Sequence, residues 1–97
     1  MTFEYYEDAA HKTAKYPAGS DYVYLGLAGE AGEVANQRKK EIRAGSNRTE
    51  QILDELGDCL WYISQICRER GVSMSEVARY NIEKLEARDN AGKIISN

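Results

Sequence analysis

Apolar residues recur along this chain at helical spacing, and their interruptions divide it into four helical segments without an internal repeat. The first is expected from about Phe3 to Lys15, with Phe3, Tyr6 and Ala10 on one side. It stops before Tyr16-Pro17-Ala18-Gly19, because proline disfavours helical geometry in the residue before it. Ser20 or Asp21 is placed to cap a second helix, which continues to about Ala44 and ends at Gly45. Asn47 with Glu50 three residues later resembles a capping box for a third helix ending at Gly71. The fourth begins at the S-x-x-E box of Ser73 and Glu76, with Val72 and Val77 at the staple positions. It fades near Arg88, and residues 90–97 read as a loose tail.

The third segment carries the strongest burial signal. Ile52, Leu53, Leu56, Leu60, Trp61, Ile63 and Ile66 cover much more than one stripe, and a helix apolar nearly all round is a central one. A 97-residue chain hides only about two-thirds of its unfolded surface, so part of that helix is expected to meet a second subunit. The expected architecture is all-α: a single domain over residues 1–97, a four-to-five-helix bundle completed by homo-oligomerisation as a dimer or tetramer.

Composition narrows the function. With 42% hydrophobic residues and one proline the chain is not disordered. No apolar run approaches the roughly 20 residues of a membrane span. The start, Met-Thr-Phe-Glu-Tyr-Tyr-Glu-Asp, lacks the regions of a signal peptide, so a cytoplasmic protein is expected. A net charge of −3 argues against a duplex nucleic-acid partner, which needs clustered Lys and Arg. Cys59 and Cys67 lie about 12 Å apart along one helix, too far for a disulfide, and read as reduced core residues.

The chemistry lies in two acid pairs. Glu30 and Glu33 are three apart in the second helix, and Glu55 and Asp58 are three apart in the third, so each pair leaves one helix face. At about 100° per residue, Ile52, Cys59, Tyr62 and Ile66 surround Glu55, while Val23, Leu27 and Val34 flank Glu30 and Glu33. Carboxylates set in apolar surface cost several kcal/mol each unless neutralised by Lys or Arg, a shared proton or a bound cation. All-oxygen ligation suits Mg²⁺, or Mn²⁺, rather than zinc. If the two helices are antiparallel neighbours, all four carboxylates converge between them. Glu50 and Asp54 point away from the apolar stripe and read as surface charges. Gly26, Gly29 and Gly32, with Ala28 and Ala35, leave a flank without bulk, where another helix or a ligand approaches closely.

These residues resemble the MazG-type all-α nucleoside triphosphate pyrophosphohydrolases. The run Leu25-Gly26-Leu27-Ala28-Gly29-Glu30-Ala31-Gly32-Glu33-Val34 is similar to that family's first metal motif, and Glu55-Leu56-Gly57-Asp58-Cys59-Leu60-Trp61-Tyr62 to its second. The run Asn81-Ile82-Glu83-Lys84-Leu85-Glu86-Ala87-Arg88 resembles its N-x-x-K-L-x-x-R segment, and the likeness spans roughly Tyr16 to Arg88. The resemblance implies Mg²⁺-dependent cleavage of a nucleoside triphosphate to the monophosphate and pyrophosphate. Glu30, Glu33, Glu55 and Asp58 would then be the metal ligands and catalytic acids, with Asn81, Lys84 and Arg88 at the substrate phosphates.

From the residues themselves, Asn81 falls on an apolar seam with Met74, Val77, Ala78 and Leu85, where its amide needs a partner. Lys84 and Arg88 sit a turn apart beyond it, suited to phosphate oxygens. Lys39, Lys40 and Arg43 favour the dipole at the end of the second helix, and Lys40 is a further phosphate candidate. Base selection is expected from the first helix, the loop from Tyr16 to Tyr24, and aromatics such as Tyr22, Tyr24 or Trp61.

The tail from Gly92 to Asn97 stops short of the longer glycine-rich, basic ending of several relatives. A phosphoribosyl-ATP pyrophosphohydrolase-like enzyme would use the same acids on another substrate, and a non-catalytic helical interaction module would need no metal. A redox di-metal bundle wants E-x-x-H pairs, and the chain's one histidine, His11, has no such partner.

Overall fold

Residues 1–92 are described by a computed structural model; segment 93–97, the end of the expected tail, lies outside the described residues. Four helices form, α1 (Phe3–His11), α2 (Tyr22–Ala44), α3 (Thr49–Arg70) and α4 (Met74–Asn90), and the described residues contain no strand. No helix among them is long and apolar enough to cross a membrane.

Local chemistry sets the boundaries. The Thr2 hydroxyl accepts from the Tyr5 amide at 3.0 Å and starts α1. That helix ends at His11 rather than near Lys15, because the Thr13 and Ala14 amides turn back tightly onto the Ala10 and His11 carbonyls. Asp21 stands at the α2 N-cap without a side-chain bond, and Ser20 Oγ accepts from the Tyr22 amide at 3.3 Å. The Asn47 side chain accepts from the Thr49 amide, which puts the start of α3 at Thr49; Arg48, not Asn47, is its N-cap. Gly45 and Gly71 close α2 and α3 with φ of 63° and 69°, a conformation that costs glycine nothing. Ser73 caps α4 by accepting from the Glu76 amide at 3.0 Å. Glu7 of α1 also accepts from the Met74 amide, an anion at a helix N-terminus that ties the first helix to the last.

The two long helices form an antiparallel hairpin across the short turn at 45–48, and this is the main packing unit. A clamp closes the turn: Arg48 Nε donates to Gln37 Oε1 at 2.8 Å, and its amide donates to the Glu41 carboxylate at 2.7 Å. α3 touches all three other helices, as its all-round apolar surface predicts. α1 packs on α3 and α4 but does not meet α2, so a cleft lies over α3 between α1 and α2.

The core is small. Ala10, Val23, Cys67 and Met74 are its buried apolar residues, whereas Leu53, Tyr80 and Ile82 are 68%, 72% and 53% exposed. α4 never approaches α2 and meets α3 over a short stretch only. Its seam around Asn81, expected to be covered, is therefore open in the single chain, and every residue from Asn81 to Asn90 is exposed. The radius of gyration, 16.1 Å, exceeds the roughly 12.5 Å of a compact chain of this length.

Candidate metal centre

The acid site follows from the hairpin. On α2 the residues turned to α3 are Val23, Leu27, Glu30, Val34 and Gln37, a helical repeat that admits one carboxylate into an otherwise packed seam. On α3 the facing residues are Ile52, Glu55, Cys59, Tyr62 and Ile66, all half-buried. Glu30 and Glu55 meet within this seam, and Asp58, one turn further, approaches from the cleft side.

One carboxylate oxygen from each of Glu30, Glu55 and Asp58 lies within 4.8 Å of the others. Glu30 and Glu55 are half-buried and Asp58 is exposed, so the cluster has a protein floor and an open mouth. The structure leaves Glu33 outside this group, exposed on α2 a turn beyond Glu30. The convergence expected of four acids is thus one of three, with Glu33 at the rim and near enough for its charge to act on Glu30.

Electrostatics at the cluster is unrelieved. The ion pairs of the described residues, Arg38–Glu41 and Arg79–Glu83, lie elsewhere. Without a cation, hydrogen bonding to Glu55 pushes the Glu30 carboxyl up to about 7, helped by burial and by the charges of Asp58, Glu55 and Glu33. The same field reaches its neighbours. Burial, then the charges of Glu30, Asp58 and Glu55, raise the Cys59 thiol and keep it neutral. Burial, then the charge of Asp58, raise the Tyr6 hydroxyl of α1. Three convergent carboxylates, one of them open to solvent, form a hard-oxygen donor set that fits Mg²⁺ or Mn²⁺.

Beyond the acids the cleft is aromatic. Tyr16 and Tyr22 stack at 5.4 Å between ring centroids with an 11° interplanar angle, and Trp61 meets both Tyr16 and Tyr62 edge-on. Tyr62 lies against Gly26, where an added Cβ would stand 2.2 Å from the ring. Gly29 and Gly32 have open space beside them instead, so close approach explains one glycine of the three. A hydrogen bond with Tyr22, ahead of burial and the nearby acids, raises the Tyr62 hydroxyl. Trp61 Nε1 donates to Thr13 Oγ1 at 2.8 Å, and the Tyr16 hydroxyl donates to Glu69 at 2.7 Å. Of the aromatics singled out for base selection, Tyr22 and Trp61 belong to this group. Tyr24 does not: its ring lies under the Arg70 guanidinium and its hydroxyl accepts from Arg70 Nε at 2.6 Å. Tyr16 opens the loop expected to select the base and belongs to the group, whereas sequence reasoning missed Tyr62; the signal was Gly26, whose missing side chain makes room for the Tyr62 ring.

The other candidates are not brought to the acids within one chain. Lys40 is exposed on α2, two turns past Glu33. Asn81, Lys84 and Arg88 are exposed on the part of α4 that stands away from α2.

Comparison with known proteins agrees with this architecture. The family model described as the MazG nucleotide pyrophosphohydrolase domain matches residues 19–92, the stretch that holds both acid pairs and α4. The chain is similar to the Gene 37 protein of Mycobacterium phage L5, 38% identical over 108 positions that span 97% of this chain and 94% of that protein. No solved structure matches. With three acids converging between α2 and α3 inside a matched stretch that takes in three of the four helices, the chain belongs to the MazG nucleotide pyrophosphohydrolase family.

Proposed function

We propose that the protein is a Mg²⁺-dependent nucleoside triphosphate pyrophosphohydrolase that converts an NTP or dNTP to the monophosphate and pyrophosphate, in control of the nucleotide pool. The observation that carries this is the convergence of Glu30, Glu55 and Asp58 with no ion pair to a cationic side chain among the described residues. Glu30, Glu55 and Asp58 would hold the ion, with Glu33 joining from the rim, and a Mg²⁺ held there would supply positive charge to the phosphate oxygens of the substrate. The half-buried seam fixes the Glu30 and Glu55 side chains before substrate arrives. The aromatic group beyond Asp58 takes the base, whose flat face suits the rings of Tyr22, Trp61 and Tyr62.

The functional unit in this proposal is a homo-oligomer. α4 leaves apolar Val77, Tyr80, Ile82 and Leu85 at 46%, 72%, 53% and 38% exposure beside Asn81, Lys84 and Arg88. A second copy covering this face brings those polar groups to the phosphates of its neighbour's site, with Lys40 at the edge.

The test is pyrophosphate release from a panel of nucleoside triphosphates, with Mg²⁺ and with chelator. Release should require Mg²⁺ and should fall at least a hundredfold in Glu55→Gln and Asp58→Asn while helicity is unchanged. Equal activity in chelator, or full activity in both variants, would overturn the assignment.

A further inference from the structure

Along α3, Tyr62 and Gln65 follow Asp58 by four and seven residues and share its face of the helix. Gln65 is 1% exposed, the most deeply buried polar side chain of the described residues. Its Oε1 has no hydrogen-bond partner among them, and its Nε2 makes only a long contact, 3.4 Å, to Ser64 Oγ. A buried amide oxygen left without a donor is rare and costly, so its packed position asks for a donor that the described residues do not supply. Gln65 lines a cavity of about 310 Å³ beneath the α1–α2 connection, with His11, Tyr16 and Arg68 on its walls. Tyr16 is also a member of the aromatic group. Seven residues of helix separate Gln65 from Asp58 by about 10 Å. That is the reach of a nucleotide from its phosphates to the far edge of its base.

We propose that Gln65 is the base-reading residue of this site, its Oε1 accepting from the exocyclic amine of adenine or cytosine while the aromatic group holds the ring. The inference rests on the nucleotide reading above and adds a substrate class to it: adenine and cytosine nucleotides, whose amine stands at purine C6 or pyrimidine C4. A site built to hydrogen-bond a substrate amine discriminates strongly against the analogue lacking it, because the buried oxygen is then left unpaired. Uracil and thymine carry a carbonyl at the position where cytosine carries its amine. A water held in the cavity would satisfy Oε1 equally and give no preference between bases.

The experiment uses the full chain with Mg²⁺ and compares kcat/KM for dATP and dCTP with that for dTTP and dUTP. The wild type should favour the amino-bearing pair by about tenfold or more. Gln65→Met and Gln65→Leu, two apolar replacements of similar bulk whose folding is checked by thermal unfolding, should each erase most of that ratio. Gln65→Glu, which keeps the acceptor, should retain it. A second readout needs no hydrolysis: quenching of Trp61, the single tryptophan, by dAMP and dCMP against dTMP. Equal ratios in wild type and in a folded Gln65→Met or Gln65→Leu chain, by both readouts, overturn the inference even if pyrophosphate is released. Base-ordered quenching that depends on Gln65, without pyrophosphate release, removes the hydrolase and leaves the inference standing.

Discussion

At the scale of single residues, Glu30 would connect protonation to the proposed metal binding. Its carboxyl stays protonated up to about 7 because Glu55 shares the proton and neighbouring acids oppose a further charge, whereas an ordinary glutamate releases it near 4.5. The metal-free folded chain therefore binds more protons than the unfolded chain between those values. Its contribution to stability is complete below about 4.5 and is lost as pH rises through about 7. In the proposed site Mg²⁺ would compete with that proton, so its affinity should drop as pH falls below about 7, and binding there should release a proton. Melting curves with Mg²⁺ and with EDTA at pH 5.5 and 8.5, as chosen test points on either side of neutrality, check this. The Mg²⁺-induced rise in Tm should be larger at the alkaline point, and the difference should shrink in Glu30→Gln. A rise independent of pH would show that the carboxyls do not compete for one ion.

At the scale of elements, the α2–α3 packing turns on a glycine and a ring. Tyr62 is held between Trp61 and Tyr22, with ring centroids at 5.1 and 6.2 Å, and cannot step back from a Cβ placed 2.2 Å away. Gly26→Ala should thus cost about 1–3 kcal/mol by overpacking, lowering Tm by roughly 5–20 °C in a domain of this size. Gly29→Ala meets open space and should raise stability by about 0.5–1 kcal/mol through helix propensity alone. Thermal unfolding of the two variants checks the pair, and changes of the same sign would refute the packing argument. The contrast shows what was legible in the chain. Helix ends at Gly45, Gly71 and Ser73 depend on neighbours in sequence, and they fall where the residues imply. The Glu30–Glu55 meeting was legible because a short turn forces two amphipathic helices together. Three features were not: Glu33 slipping to the rim, Gln65 Oε1 buried without a partner among the described residues, and α4 standing off from α2. Each depends on the exact rotation or docking of a helix, fixed by contacts such as Glu7 with Met74, 67 residues apart.

At the scale of the whole molecule, the clustered acids and the phosphate candidates Lys84 and Arg88 occupy separate parts of one chain. Glu55 and Asp58 sit in the hairpin, while Lys84 and Arg88 stand on a helix that does not reach α2. A site that needs both is incomplete in the monomer, and the exposed apolar face of α4 offers the area for a second copy to complete it. This arrangement predicts complementation between defective chains. Glu55→Gln alone should lose pyrophosphate release, and so should the double variant Lys84→Ala/Arg88→Ala. When the two are mixed and allowed to exchange subunits, a hybrid dimer contains one site whose acids and cations are both intact. Random reassortment of equal amounts makes about half the dimers hybrid, so activity should return to about a quarter of wild type. Native mass spectrometry reports the exchange and the pyrophosphate assay reports the recovery. Hybrids that form without recovering activity would show that each chain supplies its own cations, by a movement of α4 towards α2. Tyr80→Glu and Leu85→Glu test the same face directly, since a charge placed there should dissociate the oligomer and lower activity without touching an acid.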